Sequence, residues 1–454
     1  MNRDLIGKSL FRPAKPRSNV YRIMALICLI LGGVWLIVHF RTGEVKPLLL
    51  PTPTPTRTAN SYIQEAEAYF AAGRLDDPLS DNDAIDTYIQ ATKVDPTNAR
   101  VWSELARIQT YSSSLLSSDD QRLERLNQAQ ESARKAVELA PDDSSSHAIL
   151  SFVLDWNASS NLISDDQRQA YLNEAEGQAV RALQLDPNNA TALAFYAEVL
   201  LDQQNWDQAR QYAEQAVARA PDSMDAHRVY ATVLEALGYY RDSINEYKKA
   251  SDITPNFTYL HLRIGLGYRN LKVYDTALSY FDRAASINQQ LGVKDPNPYI
   301  AIAKTYAQKG EFFPASLNAE KALSYAPSSP DTYGQLGSIY VQARNYESAL
   351  PALKCAVDGC TAEENEIANL LVTSGLLKES VAVRPLPLTN LTVAYYYIRY
   401  GSVLAYLSDA KNGRCEKALG LMAQLRSFSK DPDLLDNAIV IEGTCRMLMG
   451  TPSP

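Results

Sequence analysis

A proline recurs at a fixed interval in the middle of this 454-residue chain. Pro187, Pro221 and Pro255 are spaced 34 residues apart, and each is followed by Asn or Asp. Such a sequence ends one helix and starts the next. Two segments with apolar residues at helical spacing lie between consecutive prolines, joined by a short polar turn. One helix pair cannot bury its apolar face alone, so a period of this kind requires the pairs to stack.

The same register extends over five units, which start at residues 190, 224, 258, 296 and 330. Positions 8, 20 and 27 of every unit carry a small residue, as is needed where two paired helices approach each other closely. Position 11 carries Leu or Tyr, which fills the space between the helices. The small residues are Ala197, Ala231, Gly265, Ala303 and Gly337 at position 8, Ala209, Ser243, Ala277, Ala315 and Ala349 at position 20, and Ala216, Ala250, Ala284, Ala322 and Ala356 at position 27.

This pattern resembles the tetratricopeptide repeat family. The resemblance implies an all-α, right-handed superhelix of about eight to nine helix pairs with a capping helix. Three more units end at Pro96, Pro141 and Pro187, and the second and third contain 11 and 12 extra residues. These insertions are rich in Ser and Asp, so we expect surface loops around residues 111–121 and 156–169. The sequence therefore predicts a solenoid over residues 60–358 and a degenerate repeat-like helical region with a cap over residues 359–454.

A stretch of 18 residues without formal charge, from Ile23 to Phe40, precedes the repeats. At ~1.5 Å per residue a helix of this length covers ~27 Å, close to the thickness of a hydrocarbon core. We predict one transmembrane helix over residues 21–40, preceded by a basic tail over residues 1–20. A Pro/Thr-rich linker over residues 41–59 would hold the repeats away from the bilayer. A cleaved signal peptide is the main alternative, but the apolar run is long and no small-residue cleavage site follows it.

Charge is distributed unevenly along the chain. Residues 1–41 contain seven basic residues and one acidic residue, whereas the remainder contains 37 basic and 51 acidic residues. Six of the basic residues precede the apolar stretch, which predicts a cytoplasmic N-terminus and an extracytoplasmic solenoid in a single-pass cell-membrane protein. The acidic remainder argues against binding of nucleic acid, which requires a basic surface.

Four cysteines follow the apolar stretch, and an even number on an oxidising side of a membrane is compatible with two disulfides. If residues 414–428 and 432–449 are antiparallel helices, the start of the first lies beside the end of the second, which favours Cys415–Cys445. Cys355 and Cys360 would then close a loop just after Gly359 ends a helix. The alternative is four buried thiols, and the spacing disfavours a zinc site.

In the family that this chain resembles, ligands generally lie in a concave groove lined by the first helix of each pair. The corresponding positions carry basic and amide side chains, which would hold a carboxylate or an acidic segment of a partner and read its peptide backbone. The Lys-and-Asn arrangement with which chaperone-binding members clamp a C-terminal carboxylate is not reproduced. The alternative is a solvated face with internal ion pairs to Asp225 and Glu235. The candidate partner-binding residues are Arg228, Arg263, Arg269, Asn270, Lys304, Gln308 and Gln335.

Three of the four histidines, His147, His227 and His261, share position 4 of their units, where other units carry Trp102 or Tyr299. We therefore interpret this position as a packing site for a large side chain and expect no metal site there. No phosphate loop, dinucleotide fingerprint, zinc motif or nucleophile motif is present in the sequence. The sequence predicts neither a catalytic residue nor a bound cofactor.

The sequence thus predicts a membrane-anchored scaffold that binds other proteins or peptides on the extracytoplasmic side. Three alternatives remain open at this stage. The first is the same scaffold facing the cytosol, which the charge bias opposes. The second is a solute- or peptide-binding module that uses the groove or the aromatic segment around Tyr395–Tyr397. The third is an enzyme within residues 361–454, which the lack of a nucleophile and base disfavours.

Overall fold

The computed structural model describes residues 19–42, 57–76, 82–116, 118–160, 163–408 and 413–450. Regular structure among these residues is helical, apart from one isolated antiparallel bridge between Cys360 and Val383. Most of the predicted basic tail (1–20) and of the predicted linker (41–59) lies outside the described residues. The chain divides into two compact units, residues 1–57 and 58–454.

The first unit contains one described helix, α1, Val20–Thr42. Its segment Val20–His39 has a mean hydropathy of 2.2. The segment is thus long and apolar enough to cross a membrane, as the sequence predicts. A signal sequence near an N-terminus has the same length and composition.

The second unit is a succession of paired helices, eight pairs followed by a less regular C-terminal region. Neighbouring first helices also contact one another, as in a solenoid. The helices are α2 Ala59–Ala71, α3 Ala84–Val94, α4 Ala99–Ser113, α5 Asp119–Leu139, α6 Ser144–Ala158, α7 Asp165–Leu185, α8 Ala190–Asp202, α9 Trp206–Arg219, α10 Met224–Ala236, α11 Tyr240–Ile253, α12 Thr258–Asn270, α13 Tyr274–Gln290, α14 Asn297–Lys309, α15 Phe312–Tyr325, α16 Pro330–Gln342, α17 Tyr346–Val357, α18 Glu366–Thr373, α19 Leu391–Tyr406, α20 Arg414–Phe428 and α21 Pro432–Leu448.

Short polar side chains fix where many of these helices begin. Ser223 Oγ accepts a hydrogen bond from the Ala226 backbone amide at the start of α10. At the start of α7, Ser164 and Gln167 form a reciprocal capping box. Each such cap satisfies a backbone amide that the helix cannot bond internally, an interaction worth about 1 kcal/mol. The Asp pairs that follow Ser118 and Ser164 lie inside the first turns of α5 and α7, and the two serines take the capping positions.

Small residues lie where the paired helices meet, as the register predicts. Ala216 and Ala250 are completely buried. A Cβ added to Gly265 would lie 2.4 Å from the Phe281 ring, and one added to Gly337 would lie 2.6 Å from Leu353 Cγ. Those distances are too short for any side chain, so the contact between the two helices of these pairs requires glycine.

Most residues of the two insertions form helix, although their composition predicted surface loops. The described residues that lie between helices are 114–116 and 118 in the first insertion and 159–160 and 163–164 in the second. Both α5 and α7 contain 21 residues, whereas α9 contains 14. The described connections that remain are short, and Tyr111 and Ser112 in the first insertion are buried. The extra residues therefore lengthen the helices of the second and third pairs, because buried residues such as Tyr111 continue the apolar face of α4 into the insertion.

The C-terminal region contains a ninth helix pair and a cap, in agreement with the sequence pattern. After the short helix α18 the chain runs without helix to α19, which packs against both α16 and α17. Thus α19 takes the place of the first helix of the next pair, α20 is its partner, and α21 packs on both.

Two disulfides lie in this region, and both have the expected partners. Cys355 and Cys360 are joined across a Cα–Cα distance of 4.9 Å. Between them α17 ends at Val357, and Gly359 has a φ of 76°, which turns the chain back. Cys415 and Cys445 join α20 to α21 with a Cα–Cα distance of 5.1 Å.

Candidate functional site

The inner face of the first repeats is filled by aromatic side chains. The Phe257 ring, at the start of α12, lies 5.9 Å from the Phe70 ring on α2 and 5.1 Å from the Tyr111 ring on α4, centroid to centroid. The Tyr111 ring also contacts those of Phe152 and Trp156 on α6. Helices of the first three pairs therefore meet the sixth pair, and the concave face between them is closed.

Arg228 lies inside this closed part, with 0% of its surface exposed. Its guanidinium donates to both carboxylate oxygens of Glu198 at 2.7 Å, and its Nε donates to the Tyr111 hydroxyl at 3.1 Å. That hydroxyl in turn donates to Asp225. The sequence placed Arg228 on a groove open to a partner, but these contacts hold its charge within the protein, so its role is in packing and internal charge pairing.

Arg263 is also committed to internal contacts. It donates to Glu235 Oε2 at 2.7 Å and to the Tyr247 hydroxyl at 3.0 Å, and its guanidinium packs over the Tyr247 and Tyr259 rings. The alternative to a partner-binding groove was a solvated face with internal ion pairs, and Glu235 was one of the acidic partners expected there. Asn270, the last residue of α12, is exposed.

The other four candidate residues lie together around one cavity, which we call the α12–α19 pocket. It has a volume of about 300 Å³ and lies between α12, α14, α16 and α19. Its lining consists of Arg269, Lys304, Ala307, Gln308, Gln335, Ser338, Ile339, Gln342, Thr392, Tyr395, Tyr396 and Arg399. The groove residues and the aromatic segment around Tyr395, which the sequence offered as separate candidates, thus line the same cavity.

Three cations line the α12–α19 pocket without an ion-pair partner among the described residues: Arg269, Lys304 and Arg399. Arg399 donates to the Ser338 backbone carbonyl at 3.3 Å, and Arg269 Nη1 is buried without a hydrogen-bond partner. Burial lowers the pKa of all three side chains because it disfavours their charged forms. The carboxylate of Asp331 opposes this effect on the pKa of Lys304, while Arg269 adds to it.

The Asp331 carboxylate is engaged beside the pocket rather than in it. Its Oδ1 accepts a hydrogen bond from the Tyr396 hydroxyl at 2.8 Å, and Gln335 Nε2 donates to the same hydroxyl. Tyr396 also packs tightly against α16, where a Cβ on Gly334 would lie 2.5 Å from its ring. This close contact between α16 and α19 fixes the far wall of the pocket.

Sequence reasoning missed four polar pocket residues, Thr392 and Arg399 on α19 and Ser338 and Gln342 on α16. Thr392 and Arg399 follow an irregular segment, so the 34-residue register does not reach them. Ser338 and Gln342 fall at positions 9 and 13 of the unit that starts at residue 330, the positions of Lys304 and Gln308 in the preceding unit, but they were not chosen as candidates. The aromatic run YYYIRY was the available signal for α19, and it was assigned to a separate candidate site.

The histidines at position 4 have a structural role that is more specific than packing. The Nε2 atoms of His147 and His227 lie 2.9 Å from the carbonyl oxygens of Pro141 and Pro221, and His261 repeats this contact. Since a carbonyl only accepts, Nε2 donates in each case. Trp102 Nε1 donates to the Pro96 carbonyl in the same way. In these four units position 4 therefore ties the first helix to the proline that ends the preceding pair.

Comparison with known families matches residues 172–233 to the tetratricopeptide repeat. This range runs from α7 into α10. Comparison with curated protein sequences found no match.

Solved structures of similar fold include the human IFIT1 dimer with PPP-AAAA. It is 15% identical in sequence, and the match has a TM-score of 0.52. The match covers 86% of this chain and 82% of the IFIT1 chain. Yeast Tom70 is 16% identical, with a TM-score of 0.42, and the match covers 80% of this chain and 75% of the Tom70 chain. A thermophilic tetratricopeptide repeat protein of Thermus thermophilus is 24% identical, with a TM-score of 0.34. That match covers 38% of this chain and 92% of the Thermus chain. Residues 172–233 thus match the tetratricopeptide repeat, and the helix pairs before and after them stack in the same way.

Proposed function

We propose that this protein is a membrane-anchored, non-enzymatic scaffold whose solenoid binds other proteins or peptides on the extracytoplasmic side. The observation that carries the proposal is the α12–α19 side of the concave face. There the lining cations and amides point into a cavity, whereas the candidate cations of the earlier repeats are paired internally. Stacked repeats of this kind present extended concave surfaces for binding.

Two features support the extracytoplasmic side. Six basic residues precede the uncharged stretch that begins at Ile23, a bias typical of the cytoplasmic flank of a membrane span. Cys355–Cys360 and Cys415–Cys445 are joined as disulfides, which persist outside the reducing cytosol. In this proposal residues 21–40 anchor the protein and the solenoid faces an oxidising compartment, which opposes the cytosolic alternative.

Of the seven groove residues predicted from the sequence, we propose the five that lie in or beside the pocket as partner-binding residues: Arg269, Asn270, Lys304, Gln308 and Gln335. Residues 42–454 carry 37 basic and 51 acidic residues, so a protein or peptide partner is favoured over a nucleic acid. The presence of PPP-AAAA with human IFIT1 concerns that protein.

Affinity capture from detergent-solubilised native membranes tests the scaffold function. The bait is the full chain, compared with a variant that carries Arg269→Glu and Lys304→Glu. A matched control carries Lys309→Glu, because Lys309 lies on the same helix as Lys304 but is bonded to Asp275 and Glu311 outside the pocket. We expect a partner that the wild type and the control retain and the double variant loses. Equal capture by all three baits would move the site elsewhere, and no capture would contradict the scaffold function.

Thiol labelling in native membranes tests the compartment separately. Cys28 is the one free cysteine among the described residues. We expect a maleimide–polyethylene glycol reagent to modify denatured protein once without reductant and five times after reduction. Five modifications without reductant would place the solenoid in a reducing compartment.

A further inference from the structure

The α12–α19 pocket has an excess of positive charge that no described group neutralises. Arg269, Lys304 and Arg399 come from three different helices and converge on one cavity of about 300 Å³. Asp331 raises the pKa of Lys304 from beside the pocket, and its carboxylate already accepts a hydrogen bond from Tyr396. Three cations against one acid leave a surplus of about two positive charges around the cavity.

Unused hydrogen-bond donors accompany this charge. Arg269 Nη1 and Ser338 Oγ are buried, and neither has a partner among the described residues. A buried donor without a partner costs about 1 to 3 kcal/mol, so folded proteins rarely keep one unless a ligand or water satisfies it. Arg263, six residues earlier on α12, shows the contrast, because its guanidinium donates to Glu235 and to Tyr247.

We infer that the α12–α19 pocket binds a ligand that carries two or more carboxylates. Planar guanidinium groups match the fork geometry of a carboxylate, and two of the three cations are arginines. Because the cations stand on separate helices around the cavity, carboxylates that are separated from one another reach more of them than one compact anion does. The amides of Gln308 and Gln342 and the hydroxyl of Thr392 supply neutral hydrogen bonds to the rest of the ligand.

Either a free solute or neighbouring acidic side chains of a bound protein can provide this chemistry. A volume of about 300 Å³ is at the lower end of the range for small-molecule sites, and it accommodates a di- or tricarboxylic acid or the ends of two adjacent glutamates. The inference does not rest on the scaffold function, because a pocket that binds only a free solute needs no protein partner.

Calorimetric titration of the full chain in detergent, at about 0.15 M ionic strength in a buffer without carboxylates or phosphate, tests the inference. The probes are citrate, the capped peptide acetyl-triglutamate amide, acetate and inorganic phosphate. We expect citrate or the peptide to bind, and acetate to bind at least tenfold more weakly than either. Tighter binding of citrate would indicate a free solute as the source of the carboxylates, and tighter binding of the peptide would indicate a protein. Tighter binding of phosphate than of both would overturn the assignment to carboxylates.

Variants locate the binding. Lys304→Met and Arg269→Gln each remove one cation, and we expect each to weaken binding of the preferred probe by about tenfold or more. The control Lys309→Met should change the affinity by less than about twofold. Both pocket variants remove an unpaired, partly buried charge, so we expect melting temperatures at or above that of the wild type. Absence of binding by citrate and by the peptide, or binding that survives both substitutions, would refute the inference.

Discussion

The replacement Arg228→Met tests the closed part of the concave face. Arg228 is fully buried, and its two bonds to Glu198 are the main compensation for that carboxylate, which is 8% exposed. Asp155 is 2% exposed, and burial raises its pKa most. The neighbouring carboxylates of Asp202 and Glu198 raise the pKa of Asp155 further, whereas Arg228 lowers it. Removing the guanidinium would leave two buried carboxyl groups without their shared cation.

Breaking a buried ion pair on one side typically costs about 3 to 5 kcal/mol, and we expect a loss of this size at pH 8. At pH 5 the loss should be smaller than at pH 8, because protonation removes the buried negative charge that the missing guanidinium leaves unpaired. The sign follows from the direction of the effect: a carboxyl group whose pKa is raised by folding favours the folded state at low pH, and that contribution is lost as the pH rises.

Urea denaturation followed by circular dichroism at pH 5 and pH 8 measures these losses. The matched control is the double variant Arg228→Met with Glu198→Met, which removes both charges. We expect it to be within about 2 kcal/mol of the wild type, because apolar side chains often replace buried ion pairs without loss. A loss below about 1 kcal/mol in the single variant at pH 8, or a loss that is independent of pH, would show that water reaches this pair and that the concave face of the first repeats is open.

Three further changes test the packing and the charges elsewhere in the solenoid. Gly265→Ala should cost about 1 to 3 kcal/mol in urea denaturation, because the new methyl group would meet an aromatic ring 2.4 Å away. Gly177→Ala, also within a helix but with open space around it, should instead stabilise by up to about 1 kcal/mol, and equal effects would contradict the packing explanation. Asp155→Asn should raise the melting temperature at pH 8 and have little effect near pH 4, since burial raises the pKa of Asp155; a pH-independent effect would refute this. Cys415→Ser with Cys445→Ser should destabilise the C-terminal helices by about 3 to 4 kcal/mol, from the 30-residue separation, and limited proteolysis should then remove the cap faster than in the wild type. Unchanged proteolysis would mean that packing alone holds the cap.

Much of the fold follows from local sequence signals. The 34-residue interval, the small residues at close contacts and the prolines that end each pair act within neighbouring helices, so one sequence suffices to predict eight pairs. Both disulfides could also be predicted, since Cys415 and Cys445 fall at adjoining ends of two antiparallel helices. The insertions were misjudged because their Ser- and Asp-rich composition suggested loops, although these residues extend helices.

The concave face could not be predicted in the same way. Tyr111 and Phe257 meet although 146 residues separate them, and such contacts depend on the rotation that accumulates from pair to pair. A register shows which side chains face inward but not whether another part of the solenoid covers them. For this reason the sequence predicted both Arg228 and Lys304 at groove-lining positions of their repeats. The structure buries Arg228 against Glu198, whereas Lys304 lines a cavity.

Photo-crosslinking tests most directly whether the partner-binding surface lies around the α12–α19 pocket. Benzoylphenylalanine replaces Gln342, an exposed residue of the pocket lining, in one sample. In the other it replaces Arg210 on α9, whose side chain is 47% exposed. After irradiation with the protein obtained by affinity capture, we expect a crosslinked product from position 342 and none from position 210. A product from position 210 alone would contradict the proposed location of the binding surface.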